Sequence, residues 1–135
     1  MPFNYTRTVR FADTDAAGVV FFANYLAFCH EAYEESLAAA GIELQTFFKN
    51  TGVVVPISKS EAAYLRPLFP GDKLRISAKP ERLSENSFSI QYEIHRVTTV
   101  EKLAARLRTE HVATSLEKKE RVSLPPALSA WVDAG

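Results

Sequence analysis

The 135 residues, 47% hydrophobic and 24% charged, suit one compact domain with a real core and leave too little chain for two. Sixteen Lys and Arg balance sixteen Asp and Glu, which excludes a bulk electrostatic grip on nucleic acid. The single cysteine cannot form an internal disulfide, no apolar run reaches the ~18 residues of a membrane span, and no basic-then-apolar leader opens Met1-Pro2-Phe3-Asn4, so cytoplasm is the expected compartment, with no membrane partner.

In chain order, Phe3, Tyr5, Val9 and Phe11 alternate with Asn4, Thr6, Thr8 and Arg10, which predicts a first strand with one buried face. Arg7 breaks the alternation and is expected near an edge. The only long helix is predicted from about Phe22 to about Ala40. Phe22, Leu26, Cys29, Tyr33 and Leu37 recur there at helical spacing, and Tyr25, Phe28 and Ala32 widen the stripe. Glu31, Glu34 and Glu35 take the opposite face, and Gly41 supplies the positive φ that a helix terminator commonly needs.

Leu44, Phe47 and Phe48 predict a short amphipathic turn closed by Asn50-Thr51-Gly52. Val53-Val54-Val55 begins a second strand, in which Pro56 marks an edge or bulge before the chain runs on through Ala62, Tyr64 and Leu65. Past a turn at Pro67, Pro70 and Gly71-Asp72, Leu74, Ile76 and Ala78 alternate with Lys73, Arg75, Ser77 and Lys79 until Pro80 ends or interrupts the strand. Phe88, Ile90, Tyr92 and Ile94 form the next strand, after a turn at Ser84-Glu85-Asn86. A last strand spans about Lys102 to Leu116. Leu103, Ala105 and Leu107 there give way to Val112, Thr114 and Leu116, so a bulge is expected near Arg108. Charged Glu117 to Arg121 follows, then a short helix beginning at the prolines between Ser123 and Trp131. One helix and a strand meander, without crossover helices, call for an α+β class: an antiparallel sheet of about five strands curled around that helix. The edges such a sheet leaves open are expected to be closed by association of copies.

The stretch from Arg10 to Tyr25 joins the first strand to the helix and crowds Asp13, Thr14, Asp15 and Gly18 into one sharp turn. The first N–H groups of a helix have no intrahelical acceptor, and with the aligned peptide dipoles they attract negative charge. Here that start lies around Val20 to Ala23. A carbonyl oxygen held there is polarised, and the oxyanion formed on nucleophilic attack is stabilised further. Such a turn brings Asp15 within range to attack the carbonyl carbon or to deprotonate a water. The plainer reading is that Asp15 caps the helix or closes an Asx-turn, and from spacing alone that reading comes first. Asp13 has a weaker claim to chemistry.

The run Asp13-Thr14-Asp15-Ala16-Ala17-Gly18-Val19-Val20-Phe21-Phe22-Ala23-Asn24-Tyr25, with Phe28 and Glu31 beyond it, resembles the signature of the hot-dog-fold acyl-CoA thioesterases of the 4-hydroxybenzoyl-CoA thioesterase type. The extended match through Cys29-His30-Glu31-Ala32-Tyr33-Glu34, with looser likeness at Pro70 to Leu74 and Arg108 to Val112, is most similar to the branch acting on 1,4-dihydroxy-2-naphthoyl-CoA in phylloquinone (vitamin K1) biosynthesis. This resemblance implies the hot-dog fold, hydrolysis of an aromatic acyl-CoA, Asp15 as nucleophile or general base, and the backbone amide of Phe22 as the group that polarises the carbonyl. It implies no metal and no cofactor. It also implies a dimer made by joining sheets, pairing of dimers into a tetramer, and an active site at the subunit boundary.

Other chemistries lack their residues. His30-Glu31 has no second His at zincin spacing, and His95 and His111 stand alone on strands as surface or satisfied side chains. Cys29 falls in the apolar stripe, where a thiol behaves as a small hydrophobe. There is no G-x-S-x-G elbow, P-loop or Rossmann fingerprint. A hot-dog dehydratase needs a histidine in the turn before the helix, and none lies between Phe11 and Tyr25. Two rivals stay open: a 4-hydroxybenzoyl-CoA or broad-range acyl-CoA thioesterase, and a non-catalytic acyl or CoA-binding module. For the CoA phosphates the sequence offers Lys73, Arg75, Lys79, Arg82, Arg96, Arg106, Arg108, Lys118, Lys119 and Arg121 without choosing among them.

Overall fold

A computed structural model describes residues 2–135. Strand β1 (Phe3–Thr8) leads through a 3-10 turn at Phe11–Asp13 into helix α1 (Ala23–Ala39), followed by α2 (Leu44–Thr51) and β2 (Val53–Val54). Strands β3 (Ile57–Tyr64), β4 (Lys73–Arg82), β5 (Ser87–Arg96) and β6 (Lys102–Val112) come next, then β7 (Thr114–Ser115) and α3 (Pro126–Ala134). Five strands form one antiparallel sheet in the order β1-β4-β5-β6-β3, and β2 pairs with β7 in a small ribbon. Among the described residues, no helix is long and apolar enough to cross a membrane.

The sheet register explains the core. Ile76, Ile94 and Ala105 lie side by side across β4, β5 and β6, as do Ala78, Tyr92 and Leu107 in the next row, and all six are buried. Against these rows α1 lays Tyr25, Phe28, Cys29, Ala32, Tyr33 and Leu37, all buried. At ~1.5–3 kcal/mol for each large apolar side chain, this face contributes on the order of 10 kcal/mol before ordering entropy is charged against it. The helix stops where the sequence says it should: Gly41 has φ 82°, its N–H donates to Ala38 O, and the Ile42 N–H donates to Leu37 O. These are the paired bonds of a Schellman cap, with Ile42 buried in the same core as Leu37.

Several expectations need correction. The buried stripe starts at Tyr25, because Phe22 is 60% exposed and Phe11 84%, while Leu26 is only partly covered. Glu31 is not a purely solvated helix residue, since it accepts from Tyr5 and pairs with Arg7. Pro80 does not end its strand. It sits two residues beyond the last β1 pair, Phe3 with Ala78, where its missing N–H costs no bond to that neighbour. The inward face of β6 does not change phase near Arg108, because Thr109, His111 and Ala113 carry it on. The irregularity lies earlier: Ile94 pairs with Ala105 and His95 with Leu103, so Ala104 is the extra residue. Its carbonyl accepts from both Leu65 and Arg66, which ties down the end of β3.

Pro56 splits the second strand as its missing donor requires, and β3 occupies an edge. The terminal helix begins with Pro126 in its first turn and lays Leu128, Trp131 and Val132 over the core near Phe88. The Trp131 indole N–H donates to Ser36 Oγ at 2.9 Å, and Arg82 holds Asp133 at 2.8 Å.

Candidate active site

The turn after β1 is a hairpin that folds Asp15 back against the lead-in to α1. Thr14 and Val20 form an antiparallel bridge, the Asp15 N–H donates to Val19 O, and the Gly18 N–H donates to Asp15 O, both at 3.0 Å. Gly18 has φ 82°, a backbone state that a Cβ makes costly, so the Asp-x-x-Gly spacing follows from the turn. Val20 is buried and its N–H donates to Leu68 O, which pins the returning limb to the body of the protein.

Asp15 is exposed, and its Oδ1 accepts the Ala17 N–H at 2.8 Å. The Asx-turn reading is therefore correct, and it does not exclude the chemical one. Oδ2 has no hydrogen-bond partner among the described residues, so the turn fixes one oxygen and leaves the other available. Asp15 does not cap α1: Phe22 is the N-cap, with no side-chain bond, and the first turn of the helix carries no acid. The Phe22 and Ala23 amides accordingly find no acceptor among the described residues, while the Phe21 N–H on one side is used by Asp13 O and the Asn24 N–H on the other by Phe21 O. A free carboxylate oxygen and an unpaired amide at a positive helix end thus project from the two limbs of one hairpin.

Around them the surface is apolar. Phe21, Phe22, Tyr64 and Leu65 are exposed, with Tyr64 meeting both Phe22 and Tyr25 edge-on. The apolar cleft of about 460 Å³ lies elsewhere, beside the middle of α1, between Tyr33, Leu37, Phe48, Val55 and Ile57. Tyr33 is ten residues beyond Ala23, about 15 Å along the helix. Within one chain the carboxylate and the cleft are separate.

His30 and His111 read as the sequence suggests, whereas His95 is neither a surface nor a satisfied side chain: it is half-buried on β5, and its Nδ1 is buried without a hydrogen-bond partner among the described residues. His30 pairs with Glu34 at 2.9 Å on the exposed helix face. His111, 1% exposed, stacks on Phe88, with Nδ1 against Val55 O and Nε2 against the Thr109 hydroxyl. The neutral ring satisfies both contacts, and burial lowers its pKa from 6.5 to about 4. An unfolded chain takes up this proton first, so stability is lost as pH falls from about 6.5 toward 4, by on the order of 3 kcal/mol in full. His111→Gln is expected to show a smaller loss in urea midpoint between pH 7.5 and pH 4.5 than the unaltered protein. Equal losses would show that His111 does not set this slope. Burial raises the Cys29 thiol well above its usual range, consistent with an inert core residue.

Of the basic candidates, Arg75 is held by Glu101, Arg82 by Asp133, Arg106 by Glu93 and Arg108 by Glu110. Lys79, Arg96, Lys118, Lys119 and Arg121 have no carboxylate partner among the described residues. Sequence reasoning missed Arg7 and Asn24. Arg7 lies opposite Leu74 on the inward side of β1 with its guanidinium carbon 4.2 Å from the Phe28 ring centroid, and the Asn24 side chain donates to Asp13 O. The break in alternation at Arg7 was the available signal.

An antiparallel sheet curled about a helix whose start faces an acid-bearing turn is the architecture of the hot-dog thioesterases. The model of the thioesterase-like superfamily matches residues 9–132, and the chain belongs to that family. It is 47% identical over 133 residues to the 1,4-dihydroxy-2-naphthoyl-CoA hydrolase of Nostoc punctiforme, covering 98% of this chain and 88% of the relative. It is 45% identical over 129 residues to the enzyme of the same name from Thermosynechococcus vestitus, covering 96% of this chain and 87% of the relative. The crystal structure of a 1,4-dihydroxy-2-naphthoyl-CoA thioesterase from Synechocystis superposes with a TM-score of 0.92 at 32% identity, covering 98% of this chain and 96% of that one.

Proposed function

We propose that this chain hydrolyses 1,4-dihydroxy-2-naphthoyl-CoA to 1,4-dihydroxy-2-naphthoate and CoA, the step that its resemblance assigns to phylloquinone biosynthesis, in the cytoplasm. The observation that carries the chemistry is the hairpin that joins a carboxylate with one unengaged oxygen to an unpaired amide at the start of α1. The acyl group is carried over from relatives 45–47% identical across almost the whole chain. The thioester carbonyl oxygen accepts the Phe22 N–H, which is worth more as the oxygen gains charge. Asp15 then attacks the carbonyl carbon, expelling CoA thiolate and leaving a mixed anhydride for water to open. Alternatively it takes a proton from the water that attacks. Neither route calls on a cofactor or a metal.

The site works between subunits in this reading. β3 is exposed along nearly its whole length at a sheet edge, and Ile57, Tyr64 and Leu65 present apolar side chains beside it. Unprotected edges of this kind pair with copies of themselves. Joining two sheets there is the proposed dimer, with dimers pairing further, and it would set Asp15 of one subunit against the α1 cleft of another.

Thiol release over a panel of naphthoyl, 4-hydroxybenzoyl, benzoyl and aliphatic CoA esters, with sedimentation of the same samples, tests both parts. The naphthoyl ester is expected to lead in kcat/KM by at least about tenfold, the scale that one well-formed pocket contact supplies. Preference for an aliphatic ester would end the assignment to this substrate, binding without thiol release would favour a non-catalytic module, and a purely monomeric active species would remove the subunit-boundary site.

A further inference from the structure

We propose that Arg7 and Asp13 are positioning residues that set the separation between the Asp15 carboxylate and the Phe22 amide, a role that rests on the assignment of those two groups to the reaction. Arg7 belongs to the inward row of β1, where the neighbouring positions are apolar, and its side chain is 17% exposed. The guanidinium lies over the Phe28 ring on α1, donates to Asp13 Oδ2 at 2.7 Å, and pairs with Glu31 Oε1 at 2.9 Å. Tyr5 adds a hydroxyl to the same Glu31 oxygen at 2.8 Å. Arg7 thus ties strand, turn and helix together at one point.

Asp13 passes that anchorage to both reacting groups. Its carboxylate accepts from Arg7 and from the Arg10 N–H, which holds the 3-10 turn, and its carbonyl accepts the Phe21 N–H at 3.0 Å and the Asn24 side-chain amide at 2.8 Å. Asp15 is two residues after the first of these anchors. Phe22 lies between Phe21 and Asn24, the two residues bound to the second. Any tilt of α1 relative to the turn must break these bonds.

Stability alone gives no reason for a charge here. Replacing a half-buried ion pair by well-packed apolar side chains is often neutral or stabilising, and the slot beside Leu74 and over Phe28 would accept one. What an apolar side chain lacks is a planar fork that fixes a carboxylate in direction as well as distance. Misplacing a reacting group by about 1 Å costs on the order of 100-fold in rate.

The test is thiol-release kinetics on the naphthoyl ester for Arg7→Met, Arg7→Lys, Asn24→Ala and Asp15→Asn, with thermal unfolding of each variant. Arg7→Met keeps an apolar stem over Phe28 and removes the fork, and Asn24→Ala removes a single link to the Asp13 carbonyl. Both are expected to lower kcat by about 10- to 100-fold, with KM within about threefold of the unaltered protein. Arg7→Lys, which retains charge without the fork, is expected to recover part of the loss. A residue that merely stabilised the fold would lower the melting temperature and leave kcat of the folded enzyme unchanged. If Arg7→Met does not fold, Asn24→Ala and Arg7→Lys decide the question by the same split. Folded variants with unaltered kcat beside an inactive Asp15→Asn would overturn the positioning role alone. An active Asp15→Asn would overturn it together with the catalytic assignment it rests on.

Discussion

Asp15→Asn is expected to lower kcat by about 10²- to 10⁴-fold, the range a positioned acid–base group supplies, with little change in KM or melting temperature. The structure makes this a clean substitution. The bond that Asp15 contributes to its own turn is accepted by Oδ1 from the Ala17 N–H, and an asparagine offers a carbonyl oxygen in the same place. The turn should therefore close as before, with Gly18 and the Thr14–Val20 bridge undisturbed. What changes is the second oxygen, which becomes an NH₂ that neither attacks a carbonyl nor accepts a proton from water. Since the side chain is exposed, no buried charge is lost and no cavity is opened. Full activity in the folded variant would reduce Asp15 to a turn residue. Loss of activity accompanied by unfolding would instead mean that the negative charge itself holds the hairpin.

Local rules accounted for most of the fold. The alternation of Leu74, Ile76 and Ala78, the stripe from Tyr25 to Leu37 and the stop at Gly41 each depend on a periodicity or a single backbone preference, and they survive packing unchanged. Failures came where a side chain's role is set by a distant partner. The phase of β6 was misread because Thr109 and His111 are polar, yet they satisfy each other and Val55 O inside the core. Arg7 looked like a flaw in a strand until Phe28, Asp13 and Glu31, brought together by the fold, gave it an environment. Phe22 looked like the first core residue of the helix because its spacing fits, but the hairpin turns its ring outward beside Tyr64.

Of the candidate site, the turn and the helix start were legible. Asp15 and the helix start could be proposed from the crowding of a turn against an apolar helix, and the resemblance sharpened that to one aspartate and one amide. Spacing posed turn residue and reacting group as alternatives, whereas the structure engages only Oδ1 of Asp15 in the turn and so leaves room for both. The apolar cleft was not legible, since it is assembled beside Tyr33 and Val55 from α1, α2 and the segment around Pro56 and lies far from Asp15 of its own chain.

The amide is the harder half of the site to test, because no ordinary side-chain change removes a backbone N–H, and proline at position 22 does so under unusually favourable conditions. Phe22 has φ −53°, within the range to which a proline ring is locked, and as the N-cap of α1 it donates no intrahelical bond. Proline is well tolerated at this end of a helix for that reason. Phe22→Pro is therefore expected to leave helix content intact while lowering kcat by about 10²- to 10³-fold, the cost of deleting one oxyanion donor. Because the exposed Phe22 ring is lost as well, Phe22→Ala is the matched control: it removes the ring, keeps the N–H, and should stay within about tenfold of the unaltered enzyme in kcat, since only contact area is lost. The quantity that decides is the ratio of the two variants, measured as thiol release at saturating substrate with circular dichroism on the same samples. A ratio near one would transfer the carbonyl oxygen to another donor, of which the adjacent unpaired Ala23 amide is the nearest, and would leave Asp15 acting on a thioester held one residue further along the helix.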